Sequence, residues 1–283
     1  MPRPRSTPCP FNAPTRYRRS RGDGRYRAGP GPPARLPADP KERPHHDRAR
    51  NRRGHPDGRA HPGVLLYQDA FGLRPHLRDM ADRLAAAGYT VLVPNLYYRN
   101  GRAPVVELPE LIDIEQGEQL FALLGPLLAT LTPEVTARDA DAFLAWFAES
   151  PLVQDGPVGL TGYCRGAFLA LRTAASHPDR IAAAAGFHGG NLATDAPDSP
   201  HLGAHRITAE LYFGHADQDP SMPPEQVDRL AEALTAAGVR FRAEVYEGSL
   251  HGYTQRDTTR YDAAGDSRHW DALLDLLHRA LPA

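Results

Sequence analysis

From residue 61 onward, apolar positions follow two alternating spacings. Segments of strand length that are rich in apolar residues occur in "GVLLYQ", "YTVLVPN", "PVGLTG", "ITAELYFGH" and "VRFRAEVYEG". Such segments predict buried strands. Between them, apolar residues recur every three or four positions, as Leu77, Met80 and Leu84 do, and this spacing predicts amphipathic helices. The chain therefore alternates strands and helices from residue 61 to its end.

Two segments have ambiguous patterns. The run "RIAAAAGFHG" suits a strand or a helix, and its place in the alternation favours a strand. Residues 105–135 predict helical pieces with breaks, as in a cover over a site. Strands that alternate with helices indicate a mostly parallel central sheet with helices on both faces, so the predicted fold class is α/β.

Charge divides the chain near residue 60. Residues 1–60 carry 16 Lys and Arg against 5 Asp and Glu, and they hold 12 of the 28 prolines. Such a segment cannot bury enough apolar surface to offset chain entropy, so we predict a disordered basic tail over 1–60 and a folded domain over 61–283. Upstream GC-rich DNA translated in error would give the same composition. A basic tail would also attract nucleic-acid phosphate, but no nucleic-acid partner is expected for the domain.

No segment has the length and hydropathy of a membrane span, and none resembles the apolar region of a signal peptide. We therefore expect a cytoplasmic protein with no membrane partner, either a monomer or a dimer. The two cysteines are Cys9 and Cys164. A disulfide between them is not expected, because Cys9 lies in the tail.

Cys164 stands where a predicted strand meets a predicted helix, in "LTGYCRGAFLA". Gly162 and Gly166 flank it two residues away on either side, which is the pattern of a nucleophile elbow. This tight turn needs small neighbours and lifts the central side chain above the carboxyl edge of the sheet, where open α/β sheets bind ligands. The N-terminus of the following helix favours a thiolate. The alternative is a small buried cysteine in a turn that contains glycine.

Candidates for an acid and a base follow in the order that α/β-hydrolases use. Asp217 and Asp219 come directly after a predicted strand in "LYFGHADQDP", and His251 follows the next strand in "VYEGSLHGY". Taken alone, His251 is an ordinary loop histidine, so the order of the three groups is the specific signal. Either aspartate meets the chemistry of a Cys-His-Asp triad.

These motifs resemble the dienelactone hydrolase family of α/β-hydrolases over about residues 62–283. The matching stretches are "GVLLYQDAFG", "PNLYYR", "GYCRGA", "ADQDPSMP" and "YEGSLHGY". The resemblance implies an α/β-hydrolase fold with a triad of Cys164, His251 and an aspartate. It favours Asp219, which stands four residues before a proline as in the family, over Asp217.

The resemblance also implies roles for residues around the triad. The backbone N–H groups of Ala70 and Arg165 would form the oxyanion hole. Asp69 stands where a glutamate is commoner and would pair with the thiol proton in the resting enzyme, although its side chain is one methylene shorter; a turn-forming role is the alternative. Tyr97 and Arg99 would lie near the substrate, where an arginine can bind a carboxylate; the alternative for Arg99 is a surface arginine that covers apolar loop atoms.

Two features depart from the family pattern. The second basic residue, expected four positions after His251, is replaced by Gln255, with Arg256 one position further on. A substrate carboxylate would therefore be held differently or be absent. Family members also begin with an antiparallel hairpin, and residues 1–60 contain no convincing strand pair. A missing hairpin would leave one edge of the sheet unprotected.

The predicted function is hydrolysis of a small carboxylic ester or lactone through a thioacyl intermediate on Cys164. No cofactor or metal is expected, because no His/Cys cluster has zinc spacing. The alternative is a non-catalytic α/β-hydrolase-like protein whose basic tail docks an acidic partner. The complete set of triad candidates argues against this alternative.

Overall fold

The computed structural model describes residues 59–281, and the predicted tail over 1–60 lies almost wholly outside them. Six strands form one sheet in which every neighbouring pair is parallel, in the order β2-β1-β3-β4-β5-β6. The strands are Gly63–Tyr67 (β1), Thr90–Leu92 (β2), Val158–Tyr163 (β3), Ile181–Phe187 (β4), Glu210–Ala216 (β5) and Phe241–Tyr246 (β6).

Helices cover both faces of this sheet. They are Pro75–Ala86 (α1), Gly117–Leu128 (α2), Pro133–Glu149 (α3), Arg165–Ser176 (α4), Pro224–Ala236 (α5) and Ala263–Ala280 (α6). One apolar core lies between the sheet and α2 to α5, and the other lies under α1 and α6. Successive side chains of β1 pack into alternate cores, with Leu65 in the first and Leu66 in the second. Because both faces are buried, the inner strands β1 and β4 read as continuous apolar runs.

The predicted alternation of strands and helices is confirmed, and the two ambiguous segments are resolved. Residues 181–187 form strand β4 and pair in parallel with β3 and β5. The segment 105–135 contains a short 3-10 helix at Ile114–Gln116 followed directly by α2. Burial on both sides decides the conformation of the alanine-rich run, since small residues let α4 approach the sheet closely.

Within residues 59–281, the two edge strands of the sheet carry features that discourage pairing with another chain. Over residues 59–281 no strand is antiparallel to the sheet, so β2 and β6 are its edges. Strand β2 has only three residues, and β6 carries Arg242 and Glu244 on its partly exposed surface. Short edge strands and charged edge residues both discourage pairing with another chain. Over the same residues, no helix is long and apolar enough to cross a membrane.

Candidate active site

Cys164 occupies a strained turn between β3 and α4. Its backbone φ is 53° and ψ is −114°, a conformation that residues with a side chain rarely adopt. The flanking glycines allow the turn: a Cβ on Gly162 would lie 2.1 Å from the Gly166 oxygen, and one on Gly166 would lie 2.3 Å from the Tyr67 oxygen. The half-buried thiol is thereby held at the carboxyl edge of the sheet, as a nucleophile elbow requires.

His251 and Asp219 meet at the same edge of the sheet. The loop after β6 carries His251, whose Nδ1 lies 2.6 Å from Oδ2 of Asp219, in the loop after β5. The other carboxylate oxygen, Oδ1, accepts hydrogen bonds from the backbone N–H and the hydroxyl of Ser221, at 2.9 and 2.7 Å. Because Nδ1 is hydrogen-bonded to the carboxylate, Nε2 is the ring nitrogen that can exchange a proton with Cys164.

The electrostatics of this group favour a charged imidazole. Burial opposes protonation, but the charge of Cys164 and hydrogen bonds with Asp219 and Cys164 raise the pKa of His251 well above its usual value. Burial also opposes ionisation of Asp219, yet hydrogen bonds from His251 and Ser221 hold its pKa below the usual range. The aspartate is thus ionised at neutral pH and the histidine is predisposed to carry a proton.

Asp217 has a different place from Asp219. Its Oδ2 accepts a hydrogen bond from the N–H of Gly248, and its own N–H donates to Ser249, so it ties the β5 loop to the β6 loop. Between the two aspartates, Gln218 has a φ of 50°, and this turn directs the two carboxylates to different partners. Of these two aspartates, Asp219 is the one that forms a hydrogen bond with His251.

The two predicted oxyanion-hole amides are available for a ligand. Ala70 follows β1, and Arg165 is the first residue of α4. Over residues 59–281, neither N–H donates a hydrogen bond to the protein. The hydroxyl of Tyr97 donates to the Ala70 carbonyl at 2.9 Å, which fixes that peptide. Tyr97 itself is buried, and burial together with the charges of Asp69 and Cys164 raises its pKa.

Asp69 is paired with Arg74 and not with the thiol. Both carboxylate oxygens accept from the guanidinium of Arg74, at 2.7 and 2.8 Å, and the two side chains are 2% and 7% exposed. Arg74 also donates to Gln255 and Asp257. Arg74 therefore places a guanidinium beside Gln255, the position at which the family pattern has a basic residue.

Arg99 is also paired with a carboxylate, that of Asp139. Its two Nη groups donate to the two oxygens of Asp139 on α3, at 2.8 and 2.7 Å, and its guanidinium lies over the ring of Tyr98. Asp139 is buried, so this ion pair holds the β2 loop against α3. Binding of a substrate carboxylate by Arg99 stays a prediction, and it would require competition with Asp139.

Three groups near the site were not predicted from the sequence. Arg74 precedes a helix at Pro75, and nothing in its local pattern indicates burial. Ser221 was detectable, since a serine two residues after an aspartate commonly closes a turn onto that carboxylate. His188, at the end of β4, lies with its ring 5.2 Å from that of His251; burial and then the charge of His251 lower its pKa well below the usual value.

Among residues 59–281, no group of three or more His, Cys, Asp or Glu side chains is placed to hold a metal ion.

A cavity of about 320 Å³ lies between α3, α4 and the 3-10 helix Pro200–Arg206. Its lining includes Arg172 and Asp198 but neither Cys164 nor His251.

The fold and the elbow together define an α/β-hydrolase. A model described as "Dienelactone hydrolase family" matches residues 50–281. The chain therefore belongs to the dienelactone hydrolase family.

Individual relatives agree with this assignment. The chain is 28% identical to a protein of Escherichia coli K12 named "Putative carboxymethylenebutenolidase", over 76% of this chain and 75% of that one. It is 29% identical to a protein of the same name from Synechocystis, over 78% and 87%. A solved structure titled "Putative Dienelactone Hydrolase" from Klebsiella pneumoniae has a TM-score of 0.66 and 25% identity, over 78% of this chain and 88% of that one.

Proposed function

We propose that the protein hydrolyses small carboxylic esters or lactones with Cys164 as nucleophile, His251 as acid and base, and Asp219 as the group that orients His251. The observation that carries the proposal is the contact of one imidazole with both a carboxylate and the elbow thiol. Asp219 lies 2.6 Å from Nδ1, and Cys164 is a hydrogen-bond and charge partner of the same ring. This is the arrangement that an activated cysteine needs.

The reaction follows in two halves. The Cys164 thiolate attacks the carbonyl carbon, and the negative charge that develops on the carbonyl oxygen is met by the N–H groups of Ala70 and Arg165. The C–O bond then breaks, and the leaving oxygen takes the proton from Nε2 of His251, which leaves a thioester on Cys164.

Water completes the cycle. Neutral His251 accepts a proton from a water molecule, and the resulting hydroxide attacks the thioester carbonyl. Collapse of this second tetrahedral intermediate breaks the C–S bond, releases the carboxylic acid and restores the thiolate beside protonated His251. Asp219 stays ionised throughout and stabilises the charged imidazole.

The ester and lactone class is supported by the family and by the relatives' names, and turnover tests it. A panel of small lactones and aryl esters would be assayed with wild type, C164A and H251A. We expect each variant to lose at least about 10³-fold in kcat. C9S is the matched cysteine control, and we expect it to keep wild-type turnover. Wild-type turnover by C164A would refute the proposed nucleophile. Absence of wild-type hydrolysis across the panel would favour a non-catalytic binding protein.

A further inference from the structure

A continuous chain of buried hydrogen bonds leads from Arg74 to a histidine that packs against His251. Arg74 donates to Oε1 of Gln255 at 2.8 Å, and Nε2 of the same amide donates to the hydroxyl of Thr254 at 2.9 Å. That hydroxyl lies 2.8 Å from Nε2 of His188. All four side chains of the chain are buried. Each link is costly to break, because a broken link leaves a buried polar group without a partner.

The charge of Arg74 fixes the direction of every hydrogen bond in this chain. A guanidinium can only donate, so the Gln255 amide turns its oxygen towards Arg74 and its NH2 group towards Thr254. The Thr254 oxygen accepts from that NH2 group, and its own proton is left for His188. Over residues 59–281, this hydroxyl has no other hydrogen-bond partner. Nε2 of His188 is therefore an acceptor, which places the proton of the neutral ring on Nδ1.

The surroundings of His188 agree with this tautomer. The ring is fully buried, and burial followed by the charge of His251 holds the pKa of His188 well below its usual value, so the ring is neutral. Its Nδ1 has no hydrogen bond to another residue within 59–281. The backbone of His188 itself favours a proton on the ring, and Nδ1 is the ring nitrogen nearer to that backbone.

His188 is packed directly against the imidazole of the candidate triad. The two ring centres lie 5.2 Å apart, with the ring planes inclined by 66°. Protonated His251 has two N–H donors, which serve Asp219 and Cys164. A neighbouring ring with a free lone pair would compete for these donors. Neutral His188 has one such lone pair, and the hydroxyl of Thr254 occupies it.

We propose that His188 is a positioning residue for His251 and that the hydroxyl of Thr254 holds it as the tautomer with its proton on Nδ1. In this form the ring supports the imidazole of His251 and offers no acceptor to it, so His251 stays directed at Cys164. The inference rests on the proposed function, because it concerns the group that moves protons in that reaction.

The tautomer can be read directly in the resting enzyme. Long-range ¹H–¹⁵N spectra of protein with labelled histidines distinguish a protonated ring nitrogen from an unprotonated one. The spectrum of H188Q, which lacks the ring, assigns its signals. At pH 7 we expect His188 to have a proton on Nδ1 and none on Nε2. A charged ring, or a ring with most of its proton on Nε2, would overturn the proposal. The measurement needs no turnover, so it is independent of the proposed hydrolysis.

Matched threonine variants test the positioning role by their kcat on one aryl ester. T254V removes the hydroxyl that holds His188, and we expect kcat to fall about 10- to 100-fold because the acid and base is then poorly aimed. T254S keeps a hydroxyl, and we expect its kcat to stay within about threefold of wild type. T258V is the control, since it removes a buried hydroxyl of the same loop that donates to the Gln255 carbonyl and lies outside the chain. There we also expect a kcat within about threefold of wild type.

Three kinetic results would overturn the proposal. They are a kcat of T254V within about threefold of wild type, an equal fall in T254V and T258V, and a fall in T254S as large as that in T254V. Because the tautomer is measured in wild type, the proposal is tested even if T254V does not fold. None of these results bears on the nucleophile, which C164A tests separately: turnover by C164A at the wild-type rate would refute the proposed function and leave the tautomer of His188 unchanged.

Discussion

Nδ1 of His251 lies 2.6 Å from Oδ2 of Asp219, although the two residues stand in separate loops, 32 positions apart in the chain. The parallel sheet makes this contact possible, since the carboxyl ends of β5 and β6 meet at one edge. The elbow after β3 opens at the same edge. The candidate site is therefore a consequence of the sheet order.

The two neighbouring aspartates make a direct test of this pairing. In D219N the imidazole loses the charge that stabilises its protonated form, and we expect kcat to fall by roughly 10²- to 10⁴-fold. D217N keeps an oxygen that can accept from Gly248, and we expect its kcat to stay within about threefold of wild type. Steady-state kinetics on one aryl ester measure both. An equal loss in the two variants would contradict the assignment of Asp219.

Much of this edge of the sheet is predictable from the sequence. The period and length of the apolar pattern predict the strands, and the spacing of Gly162 and Gly166 predicts the elbow. Chain order predicts the candidate acid and base. Each of these signals is local or follows from topology. The predicted strand over the alanine-rich run and the predicted position of Cys164 between β3 and α4 hold for that reason.

Side-chain partners over long separations are not predictable in the same way. Arg99 meets Asp139 at a separation of 40 residues, and Arg74 meets Gln255 at 181. Neither contact leaves a periodic or local pattern, because each depends on how a loop packs after the sheet has formed. The sequence therefore offers Arg99 as a free cation and gives no sign that Arg74 serves Asp69.

The elbow glycines give a prediction about stability. In G166A the new Cβ would lie 2.3 Å from the backbone oxygen of Tyr67, the last residue of β1, and 2.6 Å from that of Gln68, so we expect the free energy of unfolding to fall by about 3 kcal/mol or more. The control is G125A in α2, where a Cβ meets nothing within 4 Å. There we expect a gain of up to about 1 kcal/mol. Urea unfolding measures both, and equal stability of the two variants would refute the close approach at the elbow.

The ion pair of Asp69 and Arg74 gives a second prediction about stability. In R74Q the buried Asp69 carboxylate loses its partner, and we expect the free energy of unfolding to fall by about 3–5 kcal/mol. Adding D69N should restore part of the loss, because the uncompensated charge is removed. R229Q is the control, since Asp195, the partner of Arg229, is 95% exposed, and we expect less than about 1 kcal/mol.

The same urea-unfolding measurements test that pair. A loss in R74Q no larger than in R229Q would show that the pair contributes little, and failure of D69N to recover any stability would show that burial of the charge is not the cause.

The buried ring of His215 predicts how stability depends on pH. Burial lowers the pKa of His215 to about 4. As pH falls from about 6.5 to about 4, the unfolded chain takes up a proton that the folded chain does not, so the free energy of unfolding decreases by about 1.4 kcal/mol per pH unit from this group. The contribution is fully present above about pH 6.5 and is lost towards pH 4.

H215F removes this dependence and keeps an aromatic ring beside Phe213. Urea unfolding at pH 7 and at pH 4.5 would be compared for wild type and H215F. We expect wild type to lose about 2–3 kcal/mol more than H215F between the two pH values. Other titrating groups are common to both proteins and cancel from the comparison. Identical losses would contradict the pKa of His215.

The most direct test of the proposed chemistry is the mass of the enzyme during turnover. Wild type and C164A would each be mixed with an aryl ester and quenched in acid within the first turnovers. The proteins would then be digested, and the peptides would be analysed by mass spectrometry. The proposed mechanism predicts that the peptide containing Cys164 gains the mass of the acyl group as a thioester, and that C164A gains none and releases no product. Steady product release by C164A, or turnover by wild type with no acyl group on Cys164, would contradict it.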